Sequence, residues 1–319
     1  MLSRRFVAGI VCLTLMALSA RVVFGQNYPI KPIRIVTAAV GGGNDFQSRI
    51  IAPVISDALG QPVIVENRTS GIIAAEVSAK APPDGYTLHV AGGGLWLTPL
   101  LRKAPYDVVR DFSPISLTVR EVFVIAVHPS LPVKSIKELI ALAKARPGEL
   151  NYSSDATGAR SHLSQEIFKS MAGVDIVRVA YKGGATAVTA LIAGEVQMTI
   201  FDAVLIMPHM KSGKLRGLAV TSAEPSALVP GLPTIAATLP GYESVGMTGV
   251  FAPTKTPVAI INRLNQEIVR ALKLPDVRDR FVNAGLEIVA SSPEQLAAAV
   301  KLDMSTISKA IKDAGIKVE

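Results

Sequence analysis

Cysteine is almost missing from this chain: Cys12 is the only one, and it lies inside an N-terminal apolar run. Everything after that run therefore has no disulfide, no thiol nucleophile and no thiolate metal site. The four histidines are widely separated, no G-x-S-x-G elbow occurs, and no Ser/His/Asp arrangement stands out, so no catalytic constellation is expected. Aromatic residues are few, with Trp96 the sole tryptophan, which leaves aliphatic side chains to fill the core. The formal charge of +8 includes Arg4, Arg5 and Arg21 of the N-terminal segment, and the remaining Lys and Arg are scattered. That scatter argues against a nucleic-acid face. Long apolar runs are absent beyond the first one, as are internal repeats and low-complexity stretches.

The first run is itself informative. Arg4 and Arg5 precede Phe6 to Ala20, a stretch too short to span about 30 Å of hydrocarbon and followed by small residues. It reads as a secretory signal over 1–25, with the mature start at Gln26; a cut after Ala20 is the alternative. Val11 is bulky where a lipid-anchored signal wants a small residue before its cysteine, and the general export route fits better than a twin-arginine one.

Behind the signal, β-branched runs alternate with helical ones, the pattern of an α/β fold with largely parallel sheets. Strands are expected at 33–37, 63–66, 87–91 and 123–127, with a loop after Gly92-Gly93-Gly94. A second α/β unit follows, with strands near 150–153, 176–179, 197–201 and 215–220. Ser135 with Glu138, and Ser292 with Gln295, form capping boxes at helix starts. A strand returns at 245–251, and the C-terminal helices are expected to pack with the N-terminal unit. Two lobes joined by two crossover strands follow: 26–124 with 249–319, and 125–248. A hinged cleft between them is a common place for a ligand.

Three loops are candidate binding elements. Ala39 to Asp45, with Gly41, Gly42, Gly43 and Asn44, joins a strand to a helix; its backbone N–H groups suit a carboxylate or phosphate, or else Asn44 or Asp45 merely caps the helix. Phe46 stands where a dinucleotide fingerprint needs its third glycine, and no phosphate-loop lysine follows. Gly93 and Gly94 form a second turn before Trp96, which either walls a pocket or anchors the core. Ser154, Thr157, Gly158, Ser161 and His162 form a third loop, either a grip for the far end of a ligand or a hydroxyl-rich cap. Arg160 reads as a surface arginine or an ion-pair donor to the ligand. His162 and Glu166 share metal-ligand spacing, but no further ligands accompany them, and a surface pair is the simpler reading. No metal and no cofactor is expected.

The order of motifs resembles the Bug (TctC-like) solute receptors of tripartite tricarboxylate transport systems. The resemblance rests on Ile33-Arg34-Ile35-Val36, Gly41 to Asp45, Leu59 to Arg68, Pro83 to Leu88, Tyr106-Asp107 with Arg110 to Phe112, Tyr181 to Gly184, Gly213 to Arg216 and Leu232-Pro233-Thr234. It implies a two-lobed periplasmic binding protein of type II that closes on an organic acid. It also implies that Ala39 to Asp45 and Ser153 to His162 pinch a ligand carboxylate, with Asp202 beside them. The expected partners are a small carboxylate and the membrane permease subunits of such a transporter, with the receptor itself monomeric. A signalling receptor that addresses a sensor kinase, or an exported enzyme, are the alternatives. Thr37-Ala38-Ala39 replaces a commoner Pro-aromatic pair, and Ala203 replaces an Asn, so a roomier pocket near Trp96 could suit an aromatic acid.

Overall fold

Two mixed sheets organise the chain, whose computed structural model describes residues 28–155, 157–313 and 315. The expected export signal over 1–25 lies outside the described residues. In the first sheet, β1 (Ile33–Thr37) runs parallel between β2 (Val63–Asn67) and β3 (Thr87–Gly92). Ile33, Ile35 and Val36 are fully buried, as expected for a strand covered on both faces. These strands lead into α1 (Gly43–Leu59), α2 (Gly71–Ala79) and α3 (Gly94–Leu101). Gly60, at φ +65°, ends α1 in the left-handed conformation that glycine adopts without a steric penalty.

After a one-turn α4 (Val108–Asp111), the chain forms β4 (Phe112–Glu121), where the sequence pattern suggests only loop. Pro114 and three hydroxyl residues hide this strand. In the sheet, Pro114 sits at an irregularity in the pairing of β4 with β10 (Gly246–Pro253), where a missing N–H is tolerated. Ser116 and Thr118 are buried because their hydroxyls donate to the Ser291 carbonyl at 2.9 Å and the Thr248 carbonyl at 2.9 Å. With β11 (Leu286–Ile288) at the edge, the strand order is β11-β4-β10-β3-β1-β2.

The chain leaves this sheet at Val122 and enters β5 (Phe123–Val127), which is buried throughout. The second sheet has the order β7-β6-β8-β5-β9, from β6 (Asn151–Ser154), β7 (Val177–Ala180), β8 (Met198–Asp202) and β9 (Arg216–Val220). Its helices are α5 (Ile136–Ala145), α6 (Arg160–Ala172), α7 (Gly184–Ile192) and α8 (Ala203–Lys211). The return to the first sheet falls between Val220 and Gly246. The boundaries expected at 124/125 and 248/249 fall inside β5 and β10.

Helices α9 (Val258–Leu272) and α10 (Pro275–Asn283) cover the first sheet, with Ile260, Leu264, Ile268 and Phe281 packed in one core with Ile35 and Ile50. The last helix, α11 (Pro293–Asp313), departs from expectation. At 1.5 Å per residue it is about 30 Å long, more than one lobe needs. It packs on β4 and α3 of the first lobe and on α6 of the second, and its Leu296 and Ile307 belong to a core that contains residues of both lobes.

Candidate functional site

Strands β1, β3 and β4 end at one edge of the first sheet, where antiparallel β10 begins; β6 and β8 end, and β5 begins, at the facing edge of the second. Ligands of open α/β sheets bind at such carboxyl ends. The topology brings the N-termini of α1, α3, α6 and α8 to the crevice between lobes.

At α1, Gly42 is the N-cap, and the first intrahelical bond runs from the Phe46 N–H to the Gly42 carbonyl at 2.9 Å. The amides of Gly43, Asn44 and Asp45 therefore have no helical acceptor. No side chain caps the helix, so neither Asn44 nor Asp45 has that role. Asp45 instead shapes the loop: one carboxylate oxygen accepts from the Gly41 N–H at 2.9 Å, the other from Arg49 Nε and Asn67 Nδ2, each at 2.9 Å. Burial acts to raise the Asp45 pKa, but these donors outweigh it and hold the carboxyl below its usual value. Gly41, at φ +81°, is the position where the loop requires glycine. Ala39, Gly42 and Gly43 are exposed beside it.

The second loop meets the first. A Cβ on Gly92 would lie 3.3 Å from the Met247 carbonyl, 3.4 Å from Thr248 Oγ1 and 3.5 Å from Asn44 Oδ1. Gly92 also lines a cavity of about 90 Å³ together with Ala38, Asn44, His89 and Gly94. Burial holds the His89 pKa down to about 4, so the ring is neutral near pH 7; its Nδ1–H donates to the Val36 carbonyl at 2.9 Å, and Nε2 has no partner among the described residues. Gly93 lies against the Arg160 guanidinium, 3.3 Å from where its Cβ would be. Trp96 lies in the core. It is 0% exposed, packed near Phe251, and its indole N–H donates to Asp303 at 2.7 Å. An aromatic ligand cannot stack on a ring already sealed in the core.

In the second lobe, α6 also starts without a side-chain cap, at Ala159. The hydroxyls of the third loop serve the loop itself. Ser154 Oγ and Thr157 Oγ1 accept from Arg178 at 2.8 and 3.0 Å, and Ser161 Oγ bonds Asp155. Gly158 donates its N–H to His162 Nδ1 at 3.1 Å and packs on Leu101 of the facing lobe. His162 and Glu166 are not a surface pair: both are buried, and Glu166 is taken by Tyr152 and by Lys169 at 2.9 Å. Burial, then the nearby Arg178 charge, lowers the His162 pKa to about 4. Nor is Arg160 a surface arginine. Its side chain is 11% exposed and donates two hydrogen bonds to Asp303, at 3.0 and 2.7 Å. Among the described residues, no group of three or more His, Cys, Asp or Glu is arranged to hold a metal ion.

Residues that sequence reasoning missed complete the crevice. Asp303 comes from α11, Arg178 from β7, and Glu121 from the end of β4. Glu121 and Asp202 line a common cavity of about 180 Å³. Burial, then the charge of Asp202, pushes the Glu121 pKa up to about 7; burial likewise pushes Asp202 up to about 6. Nothing in the local pattern signals Glu121, because the strand that carries it is itself hidden.

A family model described as tripartite tricarboxylate transporter family receptor matches residues 48–316. Among solved structures, Rpa4515 of R. palustris with adipate is 36% identical, with a TM-score of 0.71, over 91% of this chain and 99% of that one. The periplasmic binding protein BugD is 29% identical, with a TM-score of 0.68, over 91% and 99%. MatC from Rhodopseudomonas palustris with bound malate is 29% identical, with a TM-score of 0.68, over 89% and 100%.

Proposed function

The chain belongs to the tripartite tricarboxylate transporter receptor family, and on that premise we propose that it is a periplasmic receptor that captures a small organic acid between its lobes and delivers it to membrane permease subunits. The observation that carries this reading is the convergence of helix N-termini from both lobes on one crevice, where glycine loops leave the backbone bare. Unpaired N–H groups at Gly43 to Asp45 and in the first turn of α6 offer hydrogen bonds and partial positive charge to a carboxylate. A ligand held by both sets favours the closed arrangement by the difference in its affinity for the two states. The proposed grip is the backbone of Ala39, Gly41 to Asn44, Gly93 and Gly94 from the first lobe, and of Ser154, Thr157, Gly158 and Ser161 from the second, with Asp202 beside it; the hydroxyls of Ser154, Thr157 and Ser161, like Asp45 and His162, hold loop geometry.

The acid is aliphatic. Trp96 is unavailable for stacking, and the relatives described above hold adipate and malate. The site binds rather than transforms: among the described residues neither Ser154 nor Ser161 is bonded to a histidine that could take its proton, and both hydroxyls are engaged by Arg178 and Asp155. The N-terminal signal pattern and the periplasmic setting of BugD support export.

A thermal-shift screen of the mature protein, freed of carried-over ligand, tests the reading. An acid at 100 times its dissociation constant should stabilise the protein by about 2.7 kcal/mol. Adipate, malate, citrate and acidic amino acids form the panel, and the absence of a shift with every acid would remove the carboxylate reading. Crosslinking to permease subunits that strengthens with the bound acid is the matching expectation for delivery.

A further inference from the structure

Two carboxylates from opposite lobes share one cavity at the hinge. Glu121 ends β4 in the first lobe, Asp202 ends β8 in the second, and the cavity walls come from both lobes as well: Ala284 and Gly285 from the first, Ala203, Val204 and Leu205 from the second. These walls touch, because Gly285 packs directly on Val204 and leaves no room for a Cβ. Gly246 backs Glu121 in the same way; a Cβ there would lie 2.8 Å from the Glu121 Cβ. Val122 is the crossover residue beside the pair, and its carbonyl accepts from the Ala203 N–H at 2.9 Å.

The charged groups around the pair do not compensate it. Among the described residues neither carboxylate is in an ion pair. On α6, Arg160 is held by Asp303 at 3.0 and 2.7 Å, and His162 is neutral above about pH 4. On β7, Arg178 donates to Ser154, Thr157 and the Asp155 carbonyl at 2.8 to 3.0 Å. Asp155 adds a like charge beside Asp202, and Glu287 of β11, bonded to Ser226, is a further acid. Arg120 turns to the opposite face of β4, where it lines a cavity against α11. The residues that α8 and β10 bring to the pair are uncharged.

We infer that lobe closure takes up a proton at the Glu121–Asp202 pair, so that this receptor holds its acid more tightly in acidic than in alkaline surroundings. This rests on the receptor reading above and adds its regulation. With the lobes apart, Gly285 and Val204 separate, water reaches both carboxylates, and each ionises in its usual range. With the lobes together, the walls dehydrate the pair and its like charges oppose one another, so the pair keeps one proton that belongs to neither residue alone. With the lobes in contact, as they are here, burial and then the Asp202 charge push the Glu121 pKa up to about 7. The closed form therefore binds protons more tightly than the open one. Affinity for the acid is greatest below the carboxyl range of the open form, falls as pH rises, and levels off above about 7.

Calorimetric titration of the mature protein with adipate, malate and L-glutamate between about pH 6 and pH 8 tests this, because the carboxyl groups of these acids are largely ionised throughout that range. Buffers of different ionisation enthalpy give the number of protons taken up with each acid. The dissociation constant is expected to rise roughly 5- to 10-fold from about pH 6 to about pH 8, with about half a proton taken up near pH 7. Glu121→Gln, with unchanged circular dichroism, should take up almost no proton near pH 7 and lose most of the pH dependence. Asp202→Asn, which removes the opposing charge but leaves Glu121 dehydrated, should reduce the uptake less. A dissociation constant that does not rise with pH, no proton uptake by the parent, or equal uptake by Glu121→Gln overturns the inference while leaving the receptor reading intact. If none of the three acids binds at any pH and the thermal-shift panel is also silent, the receptor reading itself fails and the inference with it.

Discussion

Replacing Asp303 with alanine removes a carboxylate that ties the lobes through α11. Asp303 accepts from the Trp96 indole N–H at 2.7 Å, which comes from the first lobe, and from both terminal nitrogens of Arg160 at 3.0 and 2.7 Å, which come from the second. Both charged side chains are 11% exposed, so the variant leaves a guanidinium and an indole N–H in a largely dry site. Breaking one side of a buried ion pair typically costs 3–5 kcal/mol; with some access from the crevice the expected loss is about 3 kcal/mol. The double variant Arg160→Met with Asp303→Leu should recover most of it, because no charge is then stranded. Urea unfolding followed by circular dichroism and by fluorescence gives the measurement, and Trp96, the sole tryptophan, reports the site directly. Coincident transitions from the two probes are expected. A loss below about 1 kcal/mol for Asp303→Ala, or a double variant as unstable as the sum of the singles, would refute the buried-tie argument.

The two glycine loops should respond differently to a methyl group. Gly41→Ala forces a left-handed backbone on alanine and should cost about 1–2 kcal/mol of stability, read by urea titration. Gly92→Ala keeps the backbone but crowds the Met247 carbonyl, Thr248 Oγ1 and Asn44 Oδ1, so acid affinity should fall about tenfold; unaltered affinity would place the ligand elsewhere. The ligand-free protein should also show a defined pH dependence from Glu121. Its carboxyl binds a proton more tightly folded than unfolded, so its stabilising contribution is complete below about pH 4.5 and is lost as pH rises through about 7. Glu121→Gln should therefore be more stable than the parent at pH 8, by up to roughly 3 kcal/mol, and flatter between pH 5 and 8. A variant less stable at pH 8 would contradict the burial of an unpaired charge.

Local rules carried much of the architecture. The β-branched run at Ile33–Thr37, the glycines that open α1, and the capping box at Ser292 are set by neighbours a few residues apart. In that box the Gln295 N–H meets Ser292 Oγ at 3.3 Å and the Ser292 N–H meets the Gln295 side chain at 2.9 Å. Alternating strands and helices were enough to place two α/β lobes, and the order of motifs was enough to place the family. Strand β4 escaped notice because Pro114, Ser116 and Thr118 look like loop residues until β10 and the Ser291 and Thr248 carbonyls are beside them.

The chemistry of the crevice was decided in three dimensions. The sequence left Trp96 open between a pocket wall and a core anchor, and its indole is bonded to a residue 207 positions away; Arg160 looked solvated and is paired with that same Asp303. Glu121 became a candidate only when the crossover at Val122 brought the end of β4 close to the end of β8. Periodicity and capping depend on residues within one turn or one strand, so the sequence alone determined most of the elements and their fold class. Burial, ion pairing and perturbed acidity depend on which distant segments share a small volume, and only the tertiary structure decided those.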